Sequence, residues 1–368
     1  MAVETQTAPR GLRRRRIRPY QVVQIVVAVS ITAFLLYRLQ YVLFVDDLYG
    51  LDTWTRFLIS GLVIGAVYAV IAIGYTLVYG ILFMINFAHG EVMMLGAFAA
   101  YFVFEALGAI PAGAETSFLN TYPIISIILA FIAGMSVSTG MGLLLERVAY
   151  RPLRGGPRLV ALISAIGASL FLQNAAQLMF SPRRRAFANP DFLSRGAGFE
   201  VMISGRPVLI TYTGTFVFVG SLLLLALLYF IIQRTRFGQA VRAIAEDQEA
   251  AALMGINVDR VIAQTFALSG AMAGAAGVMW GLHNGIVYHF IGFLPGLKAF
   301  TAAVLGGIGN IPGAMVGGLV LGVVEALGPA FLGLDFQLKD VIAFSILVLV
   351  LVFRPSGILG EVVAEEKV

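Results

Sequence analysis

The chain has 368 residues, of which 59% are hydrophobic and only 12% are charged. Soluble domains carry about 25% charged residues, so this composition indicates a polytopic membrane protein rather than two soluble domains. The sequence contains no cysteine, which excludes disulfides, thiolate metal sites and cysteine nucleophiles. The net charge of +5 does not indicate nucleic-acid binding, because the arginines stand in short loops beside apolar stretches, where they orient membrane helices.

The N-terminal region combines a basic segment with an apolar one. Residues 1–20 are polar and rich in arginine, which predicts a basic cytoplasmic tail. The apolar stretch at 22–44 is longer than the apolar part of a secretory signal, and no small-residue cleavage site follows it. We therefore predict an extra N-terminal signal-anchor helix over residues 21–45.

The later apolar stretches predict an all-α membrane domain over residues 56–360. A helix needs about 20 apolar residues to cross the hydrocarbon core. Stretches that approach or exceed this length lie at 57–79, 91–107, 122–145, 159–180, 213–232 and 266–285. The block at 300–332 is too long for one helix and is broken by GGIGNIPG at 306–313, which predicts two short segments that enter the membrane and return. With the last stretch at 341–353, we predict about ten transmembrane or re-entrant helices.

Loop charges set the predicted orientation. Arginines cluster at 147–158 and at 234–260, and counting spans places both clusters on the side of the N-terminus, as the positive-inside rule expects. Residues 361–368 are predicted to be a cytoplasmic tail on the same side. The arginines at 183–185 fall on the opposite face, in an external loop at 181–212, and depart from the rule. In that loop, stretches at 199–203 and 208–212 flank SGRP and predict a small hairpin.

The segment 234–260 is a long charged island in an apolar chain. Val241, Ile244 and Ala245 recur at helical spacing, and strong helix formers continue to Met254. Gly255 supplies the left-handed turn that ends a helix. We predict one short helix on the membrane surface, at which a soluble partner binds and moves the protein.

Two stretches, 80–90 and 306–313, are predicted to be irregular backbone at membrane depth, which is tolerated only inside protein or along a cavity. Polar residues in the membrane are costly and mark pathways, so Asn86, His89 and Glu91 are candidates for the translocation path or its gate. The alternative is an interhelical hydrogen bond or a helix cap. Glu325 is a further path candidate, for which a helix-end carboxylate in contact with headgroups or a loop is the favoured alternative.

Other patterns indicate packing rather than chemistry. Pairs of glycines four residues apart predict close helix packing, and they lie at 61 and 65, 270 and 274, 313 and 317, and 318 and 322. His283 and His289 do not share a helical face, so no metal site is predicted. The sequence has no phosphate-binding loop, His-Glu-x-x-His or Gly-x-Ser-x-Gly motif, and we predict neither an enzyme nor a cofactor.

Several segments resemble known transporters. EAAALMG at 249–255 has the spacing of the cytoplasmic coupling loop of ABC importer permeases, although Thr265 stands where an isoleucine is usual. Other segments resemble LivH-type branched-chain amino acid permeases more specifically, and this resemblance covers roughly residues 57–360. The first 55 residues extend beyond the compact form of that family. The segments that carry this resemblance are IGYTLVYG at 73–80, INFAHGE at 85–91, ERVAYRPLR at 146–154, LISAIG at 162–167, AED at 245–247, GINVDR at 255–260 and KAFTAAVLGGIG at 298–309.

The resemblance implies a permease subunit of an ATP-driven importer in a bacterial inner membrane, multi-pass and with both termini cytoplasmic. It would translocate leucine, isoleucine or valine delivered by an extracytoplasmic binding protein. Its implied partners are that protein, a LivM-like second permease, two cytoplasmic ABC ATPases and membrane lipid, without nucleic acid. The resemblance also implies the residues that contact an ATPase, with the last of them ending the coupling helix: Arg242, Glu246, Asp247, Glu249 and Gly255.

Three alternatives stay open at this point. Permeases for urea or short-chain amides share much of the pattern. A secondary amino acid transporter would couple to ions through intramembrane carboxylates such as Glu91 and Glu325. A membrane-embedded enzyme is disfavoured, because no nucleophile or metal set is recognisable.

Overall fold

The computed structural model describes residues 19–42, 49–110, 116–154, 156–194, 196–354 and 356–360. The chain divides into two units, of which the first comprises Met1–Leu48 with Phe331–Gly333 and the second comprises the rest. The tails predicted at 1–20 and 361–368 lie outside the described residues, except for residues 19 and 20.

The described part of the first unit is a single long helix with a short piece of a later one. Helix α1 spans Pro19–Tyr41, and its length of about 34 Å at 1.5 Å per residue is enough to cross a bilayer core. The Arg38 guanidinium donates a hydrogen bond to the carbonyl of Leu332 at 2.8 Å. A helix therefore occupies most of the predicted anchor segment at 21–45, and its role as a signal anchor stays a prediction.

The remaining helices follow in chain order, with strands between some of them. They are α2 Leu51–Leu82, α3 His89–Gly108, α4 Phe118–Thr121, α5 Pro123–Leu145, α6 Arg158–Phe180, α7 Tyr212–Arg234, α8 Arg236–Glu246, α9 Gln248–Leu253, α10 Val258–Asn284, α11 Phe293–Gly306, α12 Ile311–Leu332 and α13 Lys339–Phe353. Among the described residues, eight helices are long and apolar enough to cross a membrane: α2, α3, α5, α6, α7, α10, α12 and α13, with α5 continued to Leu153 and α13 begun at Phe336. The predicted all-α polytopic class is confirmed.

Helix α10 lies at the centre of the second unit, packed against α2, α3 and α5. Most of α2 and α10 is buried, whereas α5, α6, α7 and α13 leave most of their length exposed. The exposed side chains on these outer helices are largely Ile, Leu, Val and Phe. Such an apolar exterior suits lipid or a second membrane subunit, because no water is present there to solvate polar groups.

Glycines set the closest helix contacts. Helix α2 crosses α12 where Gly61 and Gly65 face Gly318 and Gly322, and a Cβ on Gly322 would lie 2.3 Å from the Cα of Gly65. A Cβ on Gly270 or Gly274 of α10 would likewise clash with the backbone of α5. A Cβ on Gly313 or Gly317 of α12 would clash with the backbone of α11. All four predicted glycine pairs are therefore packing faces, since any side chain would separate the backbones.

The loop between α6 and α7 contains the predicted hairpin. Strands β2 (Gly198–Ile203) and β3 (Arg206–Thr211) pair antiparallel. The two-residue turn between them has positive φ at Ser204 (50°) and Gly205 (76°), the turn geometry that matches strand twist. A second short pair joins β1 (Arg185–Ala186) to β4 (Ile286–Val287).

One span prediction is wrong. The block at 300–332 does not form two short re-entrant segments, because α12 has 22 residues and is long enough to cross. Helix α11 begins earlier than predicted, at Phe293, since Pro295 falls in its first turn, where a missing N–H costs nothing. The break itself is confined to residues 307–310, where Gly307 and Gly309 have φ of 110° and 93°.

Candidate functional site

The first candidate group lies in the break between α2 and α3. Helix α2 ends at Leu82, and Phe83 takes a left-handed conformation with φ of 51° before α3 begins at His89. Asn86, in this break, is buried and accepts a hydrogen bond from the hydroxyl of Tyr150 at 2.8 Å. Asn86 therefore makes the interhelical hydrogen bond that was its alternative reading, and it ties the break to the turn that follows α5.

His89 opens α3 and is packed on all sides. Its ring lies edge-on to Tyr75, with 4.8 Å between the ring centres, and its Nδ1 is 3.4 Å from the hydroxyl of Ser269. A Cβ on Gly74 would lie 2.2 Å from His89 Nε2, so only glycine leaves room for the imidazole there. The imidazole therefore joins α2, α3 and α10 at one point.

Glu91 is also buried, and the described part of the chain pairs only one of its oxygens. Oε1 accepts hydrogen bonds from Gln173 Nε2 at 2.7 Å and from the Ser169 hydroxyl at 3.4 Å. Oε2 has no hydrogen-bond partner among the described residues. The carboxylate borders a cavity of about 70 Å³ between α3, α6 and the start of α11, where Gly90 and Gly292 are in backbone contact. A buried, half-paired carboxylate at a cavity is typical of a functional site.

We expect Gln173→Leu to destabilise the protein by about 1–3 kcal/mol, because the buried Glu91 carboxylate loses its closest donor. The measurement is the thermal unfolding midpoint of the purified protein. Asn174→Leu on the same helix is the matched control: Asn174 is exposed and donates to the carbonyl of Leu170 in its own helix. Its effect is expected to stay within about 0.5 kcal/mol. Equal losses in the two variants would contradict the role given to Gln173.

Glu325 belongs to a second group, built from charges. It lies in α12 with only 3% of its surface exposed, and its Oε1 is 2.8 Å from Lys298 Nζ in α11. The Tyr68 hydroxyl of α2 donates to Oε2 at 3.0 Å. Lys298 Nζ is also 2.5 Å from Asp340, and Lys339 Nζ is 3.6 Å from Glu325. The alternative reading of Glu325 as a helix-end carboxylate in contact with headgroups or a loop is therefore wrong, because a buried lysine pairs with it inside the protein.

Helix α11 separates the two groups. Pro295 and Lys298 line the cavity beside Glu325, whereas Gly296 and Leu297 line the cavity beside Glu91. The four predicted path residues thus fall in two places rather than one. Sequence reasoning did not select Lys298, although a lysine within an apolar block is itself a signal of function.

The third group is the charged segment 234–260, which forms two helices rather than the single predicted one. Helix α8 ends at Glu246, and the extended backbone of Asp247 (φ −152°, ψ 111°) separates it from α9. The Asp247 carboxylate then caps α9 by accepting from the N–H groups of Glu249 and Ala250 at 2.9 Å. Gly255 ends α9 with φ of 85°, as predicted.

The two helices have distinct faces. Val241, Ile244 and Ala251 are buried against the rest of the protein. The charged side chains selected from the sequence are exposed, and Arg242 also donates to the carbonyl of Ile232 at the end of α7. Leu253 and Met254 are 89% and 83% exposed. Sequence reasoning did not identify this apolar tip, because the helix period alone does not show which face is covered.

A neighbouring ion-pair network holds the turn after α5 to the start of α10. Arg151 and Arg154 both contact Asp259, at 2.9 Å and 2.7 Å. Arg154 also contacts Glu146, which is buried. This network therefore holds the C-terminal end of the charged segment 234–260 against the turn after α5.

The family described as branched-chain amino acid transport system / permease component matches residues 57–351. The chain belongs to this family. The resemblance to LivH-type permeases is therefore confirmed, and the chain is a multi-pass membrane permease subunit of a transport complex.

Individual members of the branched-chain permease family are similar to most of this chain. The high-affinity branched-chain amino acid transport system permease protein BraD of Pseudomonas aeruginosa is 48% identical over 305 residues, covering 83% of this chain and 95% of BraD. The permease protein LivH of the corresponding system in Escherichia coli K12 is 45% identical over 302 residues, covering 82% and 94%. A probable LivH permease of Methanocaldococcus jannaschii is 28% identical over 326 residues, covering 84% and 94%. No solved structure matches the chain.

Proposed function

We propose that this permease carries leucine, isoleucine or valine across a bacterial inner membrane as the membrane subunit of an ATP-driven importer. The observation that carries the proposal is its 48% and 45% identity, over 83% and 82% of the chain, to relatives named as high-affinity branched-chain amino acid permeases. Those names favour branched-chain amino acids over urea or short amides. The amino acid arrives on an extracytoplasmic binding protein, and a second, LivM-like permease completes the membrane part.

ATP hydrolysis takes place on two separate cytoplasmic subunits, since this chain has no phosphate-binding loop. Helices α8 and α9 dock on one of them. Glu246, Asp247 and Glu249 form an exposed charged face, and Leu253 and Met254 extend it as an apolar tip. An exposed apolar tip with a charged rim is the arrangement that a protein interface uses. Gly255 and Asp259 lead directly from this tip into α10, so movement of the tip is passed to the central helix.

The break at residues 83–88 and the first turn of α3 form part of the path or its gate. Three observations support this role: the irregular backbone, the Glu91 Oε2 that has no hydrogen-bond partner within the described ranges, and the cavity beside it. Asn86 and His89 hold the break to α10 and to the turn after α5, which joins the gate to the side that carries the docking helices. Both termini are cytoplasmic in this arrangement.

The test is uptake into vesicles that contain this chain, the partner permease and the ATPases. Radiolabelled leucine and urea are supplied in turn with the matching binding protein, with and without ATP on the cytoplasmic side. We expect leucine uptake that requires ATP, and no urea uptake. Uptake of urea alone would replace the proposed substrate. Leucine uptake driven by an ion gradient without ATPases would establish the secondary transporter instead.

A further inference from the structure

A neutral cluster of four charges runs from the interior of the second unit to its surface. Lys298 and Glu325 are almost fully buried, with side chains 6% and 4% exposed. Lys339 and Asp340 stand at the edge of the cluster, with side chains 47% and 36% exposed. Two positive and two negative groups alternate along these contacts, so the cluster has no net charge. Its edge gives an incoming polar molecule access to the buried pair.

The cluster forms one wall of a cavity of about 190 Å³. The other walls are mainly apolar, with Ile64, Trp280, Ile291 and Leu294, and they also include Asn284 and Tyr288. Trp280 lies against Tyr68, with 5.9 Å between the ring centres, and Tyr68 in turn donates to Glu325. The cavity therefore presents paired charges at one side and mainly apolar side chains at the other.

We propose that this cavity is a binding site within the permease for the zwitterionic head and branched side chain of the transported amino acid. The ammonium group pairs with Glu325 and Asp340, and the carboxylate pairs with Lys298 and Lys339. The branched side chain lies against the apolar wall. This assignment rests on the proposed function and adds the site where the permease itself contacts its substrate.

Charge balance is the physical reason for a zwitterion. A lone amine or a lone carboxylate would add a net charge to a neutral and largely buried cluster. The desolvation cost of that charge would not be offset, because no unpaired opposite charge is available to it in the cluster. An amino acid adds one charge of each sign and exchanges partners with the cluster. The 3.6 Å pair of Lys339 with Glu325 is the loosest of the contacts and gives way first. Urea has no formal charge and gains nothing from such an exchange.

The experiment measures equilibrium binding of radiolabelled leucine to the complete transport complex in lipid nanodiscs, without binding protein or nucleotide. Three unlabelled compounds are compared as competitors of the labelled leucine: leucine itself, 3-methylbutylamine, which lacks the carboxylate, and 4-methylpentanoate, which lacks the amine. We expect each analogue to compete about tenfold less well than leucine or worse, because each leaves one pair of charges unmatched. Competition by either analogue that equals that of leucine would overturn the proposal.

Two variants at the edge of the cluster locate the site on this chain. Asp340→Asn and Lys339→Gln keep side-chain size and leave the buried Lys298–Glu325 pair intact, so the complex is expected to assemble. Each should weaken leucine binding about tenfold, whereas Glu200→Gln on the exposed β-hairpin should not change it. Unchanged binding in both edge variants would overturn the site while leaving the proposed function in place. ATP-driven transport of urea by the wild-type complex, without transport of leucine, would instead overturn the proposed function.

Discussion

Glu249→Arg is expected to reduce ATP-driven leucine uptake to the level seen without ATP. Glu249 is exposed in the first turn of α9, beside the capping carboxylate of Asp247. Reversing its charge opposes like charges across the proposed ATPase contact, which costs several kcal/mol, and each 1.4 kcal/mol weakens docking about tenfold. The measurement is initial uptake in reconstituted vesicles, together with pull-down of the ATPases by the membrane subunits.

Two controls separate docking from folding. Glu200→Arg makes the same charge change on the exposed hairpin, and we expect its uptake to match the wild type. An arginine in the first turn of α9 opposes the helix dipole by only about 0.3–1 kcal/mol, so fraying of α9 does not account for a complete loss. If Glu249→Arg retained full uptake and ATPase binding, the coupling role of α9 would be excluded.

Gly322→Leu is expected to prevent the protein from folding. A Cβ at this position would lie 2.3 Å from the Cα and 2.4 Å from the N of Gly65, and neither backbone atom can move without separating α2 from α12. Overpacking a core costs about 1–3 kcal/mol even where side chains adjust, and helix association in a membrane depends on this close packing. The measurement is the yield of monodisperse protein in detergent and its thermal unfolding midpoint.

Gly140→Leu supplies the matched control in a helix of the same unit. Gly140 is exposed on α5, and no atom of the described residues lies within 4 Å of a Cβ built there. Leucine is also a better helix former than glycine, which is about 0.8–1 kcal/mol less favourable than alanine inside a helix. We expect near wild-type yield, and equal behaviour of Gly140→Leu and Gly322→Leu would contradict the packing argument.

Features that depend on residues close together in the sequence could be predicted without the structure. Apolar length identified the membrane helices, because crossing the bilayer core requires a minimum number of residues whatever the surrounding structure. Ser204 and Gly205 permit the positive φ angles of the hairpin turn, and Gly255 permits the left-handed end of α9. The glycine pairs likewise indicated packing faces, although not which helices would meet.

The candidate sites were only partly predictable, because only some of their features depend on residues that are close together in the sequence. Asn86, His89 and Glu91 stand out as polar residues in an apolar stretch, and the structure shows them buried near one another. The break at Asp247 also had a local signal, since aspartate before helix formers is a common cap. That signal was hidden because α8 and α9 share a helical period that predicts a single helix.

Only the tertiary structure decided which buried charged and polar side chains pair with one another. Glu325 is paired with Lys298, 27 residues away, and with Tyr68, 257 residues away. Asn86 is paired with Tyr150, 64 residues away. The sequence by itself determined most of the membrane helices, their order and the charged segment 234–260, since these depend on apolar length and local backbone preference. It did not determine the buried pairs or the cavity beside them, because a carboxylate in an apolar helix is stable only with a partner that the packing of other helices brings within a few ångströms.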